Sequence, residues 1–201
     1  CLGTPVVGGN PLNAWRQTGA LVSALGTAVS SLLKPGDAEP RADLKPGDLA
    51  PDFTAEAAVG GRTFSFSLSK TLAQGPVVLY FYPKAFTSGC TVEAHQFAEA
   101  TDRFKALGAT VVGMSNDDIG TLQKFSVEAC RNKFAVAADA GAKVMKAYDA
   151  TLTLMPNTAD RISYVIGPDG KVLYVYANLS ANGHVENTLK AVERWRAAAR
   201  R

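Results

Sequence analysis

The sequence predicts an α/β fold in which helices flank a mixed central sheet. Two observations carry this prediction. From residue 77 onward, short apolar runs rich in β-branched and aromatic residues alternate with longer stretches of helical periodicity, a pattern typical of sheets whose strands are joined by helices. Near the C-terminus, two strand-like runs follow one another across the turn sequence Gly167-Pro168-Asp169-Gly170. A terminal hairpin of this kind makes the sheet mixed and not purely parallel.

A helical extension is predicted in front of the main domain. Asn10 followed by Pro11 favours a helix start, because it supplies a capping side chain and then proline at the first helical position. Apolar residues recur at helical spacing from Leu21 to Leu32, and Lys34-Pro35-Gly36 ends the pattern. The polar face lacks the basic residues of membrane-surface helices. We therefore favour packing on the domain or on a second subunit over a membrane-surface role.

The domain boundary is predicted at residue 43. Residues 34–43 are charged and contain prolines, as is typical of a linker. Residues 1–43 are therefore interpreted as the extension, and residues 44–201 as one domain large enough to bury a substantial core. The longest weakly polar run, residues 20–33, is too short and too polar to span a bilayer. No transmembrane segment is expected.

The first half of the domain is predicted to begin with a hairpin and to lead into the central strand. Alternating apolar residues on either side of Val59-Gly60-Gly61-Arg62 predict a hairpin over residues 53–66. The unbroken run at 77–82, VVLYFY, is too short for most helices and favours a strand buried on both faces. Pro83 ends this run, and a helix is predicted over residues 90–107.

The second half is predicted to alternate strands and helices and to close with the terminal hairpin and a helix. Each predicted strand is a short apolar run, and each predicted helix is a longer segment with apolar residues at helical spacing. The predicted strands cover residues 110–115, 134–138, 161–166 and 171–176, and the predicted helices cover residues 119–130, 141–148 and 184–198.

The residues around Cys90 indicate a reactive thiol. Thr87, Ser88 and Gly89 can each cap a helix, so Cys90 falls in the first turn. Unpaired backbone N–H groups and the positive end of the helix dipole lie there, and both favour a negative sulfur over a neutral one. We therefore expect Cys90 to be an acidic, reachable and nucleophilic thiol. The less favoured alternative is an inert buried cysteine.

Cys1 and Cys130 are the other two of the three cysteines. Cys1 opens a chain without an initiator methionine, which fits either a lipoprotein with an acylated first residue or a trimmed or fragmentary sequence. If Cys1 is acylated, Cys90 and Cys130 remain as a pair. The expected location is periplasmic or lipid-anchored through Cys1 if that residue is a processed N-terminus, and cytoplasmic otherwise.

Composition and motifs argue against several other functions. The net charge is +3 and no basic patch is evident, so no nucleic-acid partner is expected. The sequence has no C-x-x-C or H-E-x-x-H motif and its two histidines are far apart, so we expect no metal ion, no other cofactor and no general disulfide reductase activity. A cysteine–histidine hydrolase is also a poor match, because His95 lies about 140° round the helix from Cys90 and no sequence feature places His184 nearby.

The motif Pro83-x-x-x-Thr87-x-x-Cys90, directly after a hydrophobic strand, resembles the active-site signature of the peroxiredoxins, thiol peroxidases with a thioredoxin-like fold. The similarity begins at residues 47–53, GDLAPDF, continues through Ala138-Asp139 before a helix, and reaches Arg161 in RISYVIGPDGKV. It covers roughly residues 44–198. The stretch YFYPKAFTSGCTVE is most similar to the bacterioferritin-comigratory, or Q-type, branch. The resemblance implies a thioredoxin-like fold for the domain.

The resemblance also implies a role for each matching residue. Cys90 would be the peroxidatic cysteine, which attacks the O–O bond of a hydroperoxide and becomes a sulfenic acid. Thr87 would hydrogen-bond the thiolate and the peroxide, Arg161 would stabilise the negative charge, and Pro83 would shield the sulfur. For Glu93, a catalytic part and a simple favourable interaction with the helix dipole are equally compatible with the sequence.

The sequence departs from the Q-type pattern at the resolving cysteine. Many members carry it five residues after the peroxidatic cysteine, and here that position is His95. The resemblance leaves Cys130, in the next predicted helix, as the resolver, with thioredoxin or a similar thiol protein as reductant. The alternatives are a one-cysteine peroxidase that uses an external thiol and a non-enzymatic thioredoxin-like interaction module. The family implies antioxidant defence as the function, and we expect a monomer or a homodimer.

Overall fold

The computed structural model describes residues 44–201, so the predicted helical extension lies outside the described residues. Within this range the strands are β1 (Thr54–Val59), β2 (Arg62–Ser67), β3 (Val77–Phe81), β4 (Thr110–Ser115), β5 (Ala135–Ala138), β6 (Thr151–Leu152), β7 (Met155–Ala159), β8 (Ile162–Ile166) and β9 (Val172–Ala177). The helices are α1 (Leu68–Leu72), α2 (Ser88–Ala106), α3 (Ile119–Glu128), α4 (Lys143–Ala147) and α5 (His184–Ala199), with a short 3₁₀ helix, Ala140–Ala142, before α4. None of the helices described in this range is long and apolar enough to cross a bilayer.

The central sheet is mixed, as the sequence predicted. Seven strands are hydrogen-bonded in the order β2-β1-β5-β4-β3-β8-β9. β3 pairs in parallel with β4, and β4 pairs in parallel with β5. Helices α2 and α3 supply the crossover connections that these parallel pairs need. β8 pairs antiparallel with both β3 and β9, which confirms the terminal hairpin.

The central strand β3 is buried on both faces of the sheet. Val78 and Tyr80 belong to one apolar cluster, whereas Val77, Leu79 and Phe81 belong to another. This division follows from the alternation of side chains along a strand. Helices α2, α3 and α5 contribute to the first cluster, and α1 and α4 contribute to the second. The sheet therefore has helices on both faces.

Helix α2 has recognisable signals at both ends. Thr87 is its N-cap residue, with an extended backbone conformation. At the other end, Gly108 follows the helix with a φ of 81°, a left-handed conformation that glycine adopts without steric cost. Arg103 and Lys105 lie in the last turn, where positive charge interacts favourably with the helix dipole. The predicted helix over residues 90–107 is confirmed with small shifts at its ends.

Helix α3 is shorter than predicted, which changes the setting of Cys130. The prediction covered residues 119–130, but the helix ends at Glu128. Arg131 and Asn132 adopt φ angles of 51° and 60°, and such left-handed residues cannot continue a right-handed helix. Cys130 therefore lies in a turn after the helix and not in the helix.

Helix α4 also differs from its prediction over residues 141–148. Gly141 and Ala142 have φ angles of 75° and 57°, so the α-helix begins only at Lys143. Asp139 caps this helix, because its carboxylate accepts hydrogen bonds from the N–H groups of Val144 and Met145 at 2.9 and 2.8 Å. Because Asp139 lies four residues before the first residue of α4, the sequence does not indicate where this helix begins.

The sequence analysis missed helix α1 and the small sheet formed by β6 and β7. Ser67 caps α1, and its hydroxyl accepts from the N–H of Lys70 at 3.4 Å. A five-residue helix is too short for helical periodicity to be visible in the sequence. β6 and β7 pair only with each other in the described sheets, and most of their residues are not buried. Their apolar pattern is correspondingly weak.

Candidate active site

Cys90 lies in the first turn of α2, just after the end of the central strand. Helical hydrogen bonding begins with the N–H of Thr91, which donates to the Thr87 carbonyl at 2.9 Å. The N–H groups of Ser88, Gly89 and Cys90 precede that bond and therefore have no acceptor within the helix. Their partial positive charge favours an anion at the Cys90 sulfur.

Arg161 contacts the Cys90 sulfur although 71 positions separate the two residues in the sequence. Its Nη2 donates to Sγ at 3.3 Å, and its Nε donates to the Leu179 carbonyl at 2.8 Å. The two bonds together fix the plane of the guanidinium. Gly89 makes the approach possible, because a Cβ at that position would lie 3.1 Å from Nη2. Arg161 immediately precedes β8, which pairs with β3, so neighbouring strands bring the guanidinium to the start of α2.

Glu93 forms a buried hydrogen bond with Arg161. It lies three residues after Cys90 in α2 and so shares the same face of the helix. Oε2 of Glu93 accepts a hydrogen bond from Nη1 of Arg161. Glu93 is completely buried and Arg161 is 5% exposed. Burial raises the pKa of Glu93 to about 8, because the loss of solvation outweighs the opposing effect of Arg161.

His184, at the start of α5, lies on the other side of Glu93 and is also completely buried. Its Nε2 is 2.8 Å from the carbonyl oxygen of Asn178, which can only accept, so Nε2 carries a hydrogen. Its Nδ1 is 2.8 Å from Oγ of Ser163 and 3.6 Å from Oε1 of Glu93. Burial lowers the pKa of His184, which favours the neutral imidazole.

The sequence analysis did not connect His184 or Ser163 with this site. These residues come from α5 and β8, whereas Cys90 and Glu93 come from α2, and no short motif spans such separations. The one available signal was the three-residue spacing of Cys90 and Glu93, which places both side chains on one helix face. Burial of an acid on the same face as the thiol then requires a positive partner.

Pro83 and Thr87 lie in the loop that leads into α2. Pro83 is half-buried and Thr87 is exposed. The hydroxyl of Thr87 donates to the Lys84 carbonyl at 2.8 Å. In this conformation the hydroxyl hydrogen of Thr87 is therefore not directed at the Cys90 sulfur. Contact with a thiolate requires rotation of the Thr87 side chain.

The Cys90 sulfur is less accessible than the sequence suggested. Only 1% of the surface of Cys90 is exposed. In the loop before it, Phe86 is 45% exposed and has a φ of 64°, which is uncommon for a residue with a side chain. The Phe86 ring packs edge-on against Phe125 of α3, with ring centroids 5.2 Å apart. Cys90 is therefore almost completely covered in this conformation.

Cys130 belongs to the same apolar cluster as Cys90, and both are free thiols. It is completely buried, and burial raises the pKa of its thiol well above the usual range. The N–H of Cys130 donates to the Phe125 carbonyl at 3.1 Å, and its carbonyl accepts from the N–H of Lys133 at 2.9 Å. Cys130 is thus an un-ionised thiol in a hydrogen-bonded turn.

A resident metal ion has no evident site in the described part of the chain. Among residues 44–201, no group of three or more His, Cys, Asp or Glu side chains is arranged to hold one. His95 is half-buried on α2, and His184 approaches the carboxylate of Glu93. The groups gathered around the Cys90 sulfur are the guanidinium of Arg161 and, beyond it, the buried acid Glu93.

Residues 46–175 match the AhpC/TSA family. Similar curated proteins include the chloroplastic peroxiredoxin Q of Oryza sativa subsp. japonica, which is 35% identical over 73% of this chain and 66% of its own length. The chloroplastic peroxiredoxin Q of Populus jackii is 34% identical over 76% of this chain and 70% of its own length. The chain thus spans just under two thirds of the rice protein.

Solved structures with the same fold include the peroxidoxin BcpB from Mycobacterium tuberculosis. It is 32% identical to this chain, with a TM-score of 0.68, and the match covers 76% of this chain and 98% of that protein. AhpC from Enterococcus faecalis has a TM-score of 0.70 at 19% identity, over 79% of this chain and 95% of its own. At that identity the second comparison shows the thioredoxin-like fold alone.

Proposed function

The chain belongs to the AhpC/TSA family, within its Q-type peroxiredoxins, and from this premise we propose that it is a thiol-dependent peroxidase of antioxidant defence whose reacting atom is the Cys90 sulfur. The observation that carries the assignment is the hydrogen bond from Arg161 Nη2 to Sγ at 3.3 Å, at the first turn of α2. A guanidinium and a helix N-terminus together provide the electropositive surroundings that a reactive thiolate needs.

In the proposed reaction, the Cys90 thiolate attacks one oxygen of a hydroperoxide. An S–O bond forms and the O–O bond breaks, so that the sulfur is oxidised by two electrons to a sulfenic acid. The second oxygen leaves as hydroxide or alkoxide and takes up one proton to become water or an alcohol. Arg161 and the free N–H groups of the first turn stabilise the charge that moves onto the leaving oxygen.

We assign Thr87 to binding the peroxide and Pro83 to covering the sulfur. The Thr87 hydroxyl lies at the exposed start of α2 and donates to the Lys84 carbonyl when no substrate is bound. After rotation it can donate to the thiolate while its lone pairs accept a hydrogen bond from the peroxide. Pro83 has no N–H group and is half-buried between β3 and this loop, which suits it to excluding water.

Cys130 is proposed as the resolving cysteine. Its sulfur attacks the sulfenic sulfur of Cys90, an S–S bond forms, and the hydroxyl group leaves as water. Membership of one apolar cluster supports this pairing. A disulfide requires a Cα separation of about 4.4 to 6.8 Å and suitable direction of both Cβ atoms. We therefore propose that the first turn of α2 unwinds and the turn after α3 opens during resolution.

A thioredoxin-like dithiol is proposed to reduce the resulting disulfide by thiol–disulfide exchange. The burial of Cys130 favours a second candidate mechanism, in which an external thiol attacks the Cys90 sulfenic acid directly and Cys130 only fills the core. The two mechanisms differ in which sulfur bonds to Cys90 after oxidation.

Peroxide consumption by the purified chain tests the proposed function. With thioredoxin, thioredoxin reductase and NADPH as the reducing system, the wild type should consume hydrogen peroxide catalytically, and Cys90→Ser should fall to the background rate. Cys130→Ala should still consume one equivalent of peroxide but should lose turnover with thioredoxin. Turnover in Cys130→Ala with a small external thiol supports the one-cysteine mechanism. Undiminished consumption by Cys90→Ser would overturn the assignment of Cys90, and a wild type that does not consume peroxide would leave a non-enzymatic interaction module.

The cellular location and assembly are further proposals that depend on residues outside the described range. We propose two alternatives for the location, a membrane surface reached by lipid anchoring through Cys1 and the cytoplasm. The intact mass of the protein isolated from its native source distinguishes an acylated from an unmodified Cys1. Light scattering distinguishes the expected monomer from the homodimer.

A further inference from the structure

The site contains two buried acids and one guanidinium. Cys90 is 1% exposed, Glu93 is 0% exposed and Arg161 is 5% exposed. Arg161 contacts both acids, donating through Nη2 to the sulfur and through Nη1 to the carboxylate. If both acids were ionised, the buried group would carry a net charge of −1. An uncompensated buried charge is costly, so a second positive charge or a retained proton is needed when Cys90 is a thiolate.

One oxygen of the Glu93 carboxylate has no hydrogen-bond partner. Oε1 of Glu93 is buried and unpaired, while Oε2 of the same carboxylate bonds to Arg161. Nδ1 of His184 lies 3.6 Å from Oε1, a separation too long for a hydrogen bond but one that a small side-chain movement closes. Because Nε2 already carries the hydrogen that it donates to Asn178, Nδ1 of a neutral His184 has no hydrogen and can accept one; its present hydrogen-bond partner is Ser163 Oγ at 2.8 Å.

A proton between Nδ1 and Oε1 removes both problems. Without it, Oε1 of Glu93 stays buried with no donor. With it, the pair formed by Glu93 and His184 has no net charge, whichever atom holds the proton. Resting on the function proposed above, we propose that His184 is a positioning residue for Cys90: with Glu93 it holds one buried proton, which leaves the guanidinium of Arg161 to balance the Cys90 thiolate.

The other groups around the pair are compatible with this assignment. From β8, Ser163 Oγ contacts Nδ1 at 2.8 Å and can either donate to it or accept from it. From β9, the Tyr176 ring packs edge-on against the His184 ring, with centroids 4.8 Å apart. Burial and the charge of Arg161 lower the pKa of His184, whereas Asp160, next to Arg161 in sequence, opposes them weakly, so the net direction is downward. From β3, the phenol of Tyr80 lies close enough for Glu93 to raise its pKa.

The direction of the Glu93 pKa agrees with a retained proton. Burial raises that pKa to about 8, so the carboxyl group keeps its proton at neutral pH. Ionisation of Cys90 then leaves the site neutral. In the proposed arrangement Nδ1 stabilises the protonated carboxyl of Glu93, so removing Nδ1 makes Glu93 ionise more readily. An ionised Glu93 then competes with the Cys90 thiolate for the positive charge of Arg161, and the thiolate becomes less stable.

A double-mutant cycle with the full chain tests this proposal. The measured quantity is the rate of Cys90 alkylation by iodoacetamide from pH 5 to pH 10, read from the mass of the Cys90 peptide. His184→Gln keeps a nitrogen that can donate to the Asn178 carbonyl but presents none to Glu93. We expect it to slow alkylation about tenfold at a pH below the midpoint. In the Glu93→Gln background, where no proton is shared, the same substitution should change the rate less than twofold.

Equal slowing in both backgrounds would mean that His184 only packs in the core, and no slowing in either would mean that it does not act on Cys90. Both results overturn the proposal. His95→Gln, on the same helix as Cys90, is the matched control for loss of a histidine and should leave alkylation unchanged. Alkylation does not involve peroxide, so a wild type that is inactive toward peroxide overturns the proposed function without affecting this test.

A measurement on the wild type covers the case in which His184→Gln does not fold. The chain has two histidines, so the ring nitrogens of His184 can be assigned in ¹⁵N-labelled protein by comparison with His95→Gln. We expect the Nδ1 signal of His184 to change between pH 7 and pH 10, as the shared proton leaves. A signal that stays constant from pH 5 to pH 10 would overturn the proposal.

Discussion

Arg161 is assigned a larger part in catalysis than ionising Cys90. For any thiol, lowering the pKa from about 8.5 to about 6 raises the thiolate fraction at neutral pH roughly thirtyfold. The weaker nucleophilicity of the more acidic thiolate removes roughly a factor of 10 to 18 of that gain. The net gain in rate from the lower pKa is therefore about two- to threefold, which is small for an enzyme. Most of the acceleration must come from orienting the peroxide and stabilising the leaving oxygen.

Substitution of Arg161 therefore separates the two effects. We expect Arg161→Ala to slow the reaction of Cys90 with hydrogen peroxide by roughly 10² to 10³-fold, the range for loss of one donor to a developing oxyanion. Alkylation of Cys90 at the same pH measures the thiolate fraction independently. Arg161→Lys keeps the charge but not the paired N–H groups, so its rate of reaction with peroxide should fall between those of the wild type and Arg161→Ala. A peroxide rate that simply follows the thiolate fraction would contradict the assignment.

Gly89 tests whether the position of the guanidinium matters. A Cβ at residue 89 would lie 3.1 Å from Nη2 of Arg161, so Gly89→Ala should displace the guanidinium from the sulfur. A displacement well under 1 Å should lower the peroxide rate roughly tenfold. Because alanine favours helices over glycine by about 0.5 to 1 kcal/mol, the free energy of unfolding should not fall.

The matched control is Ser88→Ala, an exposed position in the same turn, which should leave the peroxide rate unchanged. Loss of activity together with loss of stability in Gly89→Ala would point to general disruption of the helix. Measurement of both quantities on one preparation distinguishes the two explanations.

At the scale of elements, the sequence predicted the strands and helices that build the site but not every contact between them. The run at 77–82 and the caps before Cys90 are local signals, and the structure has β3 and α2 there. The contacts of Arg161 with Cys90 and with Glu93 follow from helix spacing and from pairing of β8 with β3. His184 approaches from α5, and no local pattern encodes that approach.

The end of α3 shows a second limit of sequence reasoning. Left-handed conformations at Arg131 and Asn132 end the helix before Cys130. Neither residue is glycine, so the sequence carries no strong stop signal at this position. The proposed disulfide depends on this turn, because Cys130 is held there by backbone hydrogen bonds and not by a helix.

Hydrogen exchange tests the movement that resolution requires. After oxidation by one equivalent of peroxide, we expect faster amide exchange at residues 88–91 and 129–133 than in the rest of α2 and α3, because the two cysteines must leave their packed positions to bond. The reduced protein and peroxide-treated Cys130→Ala are the controls and should lack the paired increase. Unchanged exchange in a protein with a verified Cys90–Cys130 bond would contradict the proposed unwinding.

At the scale of the whole molecule, the domain holds a charged site inside an apolar core, and stability should reflect its cost. The pKa of Glu93 is raised from about 4.5 to about 8 by burial. The folded state therefore binds more protons than the unfolded state between these values. Stability contributed by the protonated carboxyl is present below about pH 4.5 and is lost as the pH rises toward 8.

Glu93→Gln removes that dependence. We compare the free energy of unfolding of Glu93→Gln with that of the wild type. Relative to the wild type, the variant should become more stable as the pH rises from about 4.5 to about 8, and the difference should level off above pH 8. Urea unfolding at fixed pH values across this range measures the difference. A difference that is independent of pH would show that Glu93 is ionised throughout.

The identity of the oxidised atom is the point on which the whole account depends, and mass spectrometry identifies it directly. The reduced protein is treated with one equivalent of hydrogen peroxide in the presence of a sulfenic-acid trap and then digested. We expect the trap to be found on the Cys90 peptide, or Cys90 to be bonded to Cys130 in competition with the trap. Oxidation confined to other residues, with Cys90 recovered as a free thiol, would contradict it.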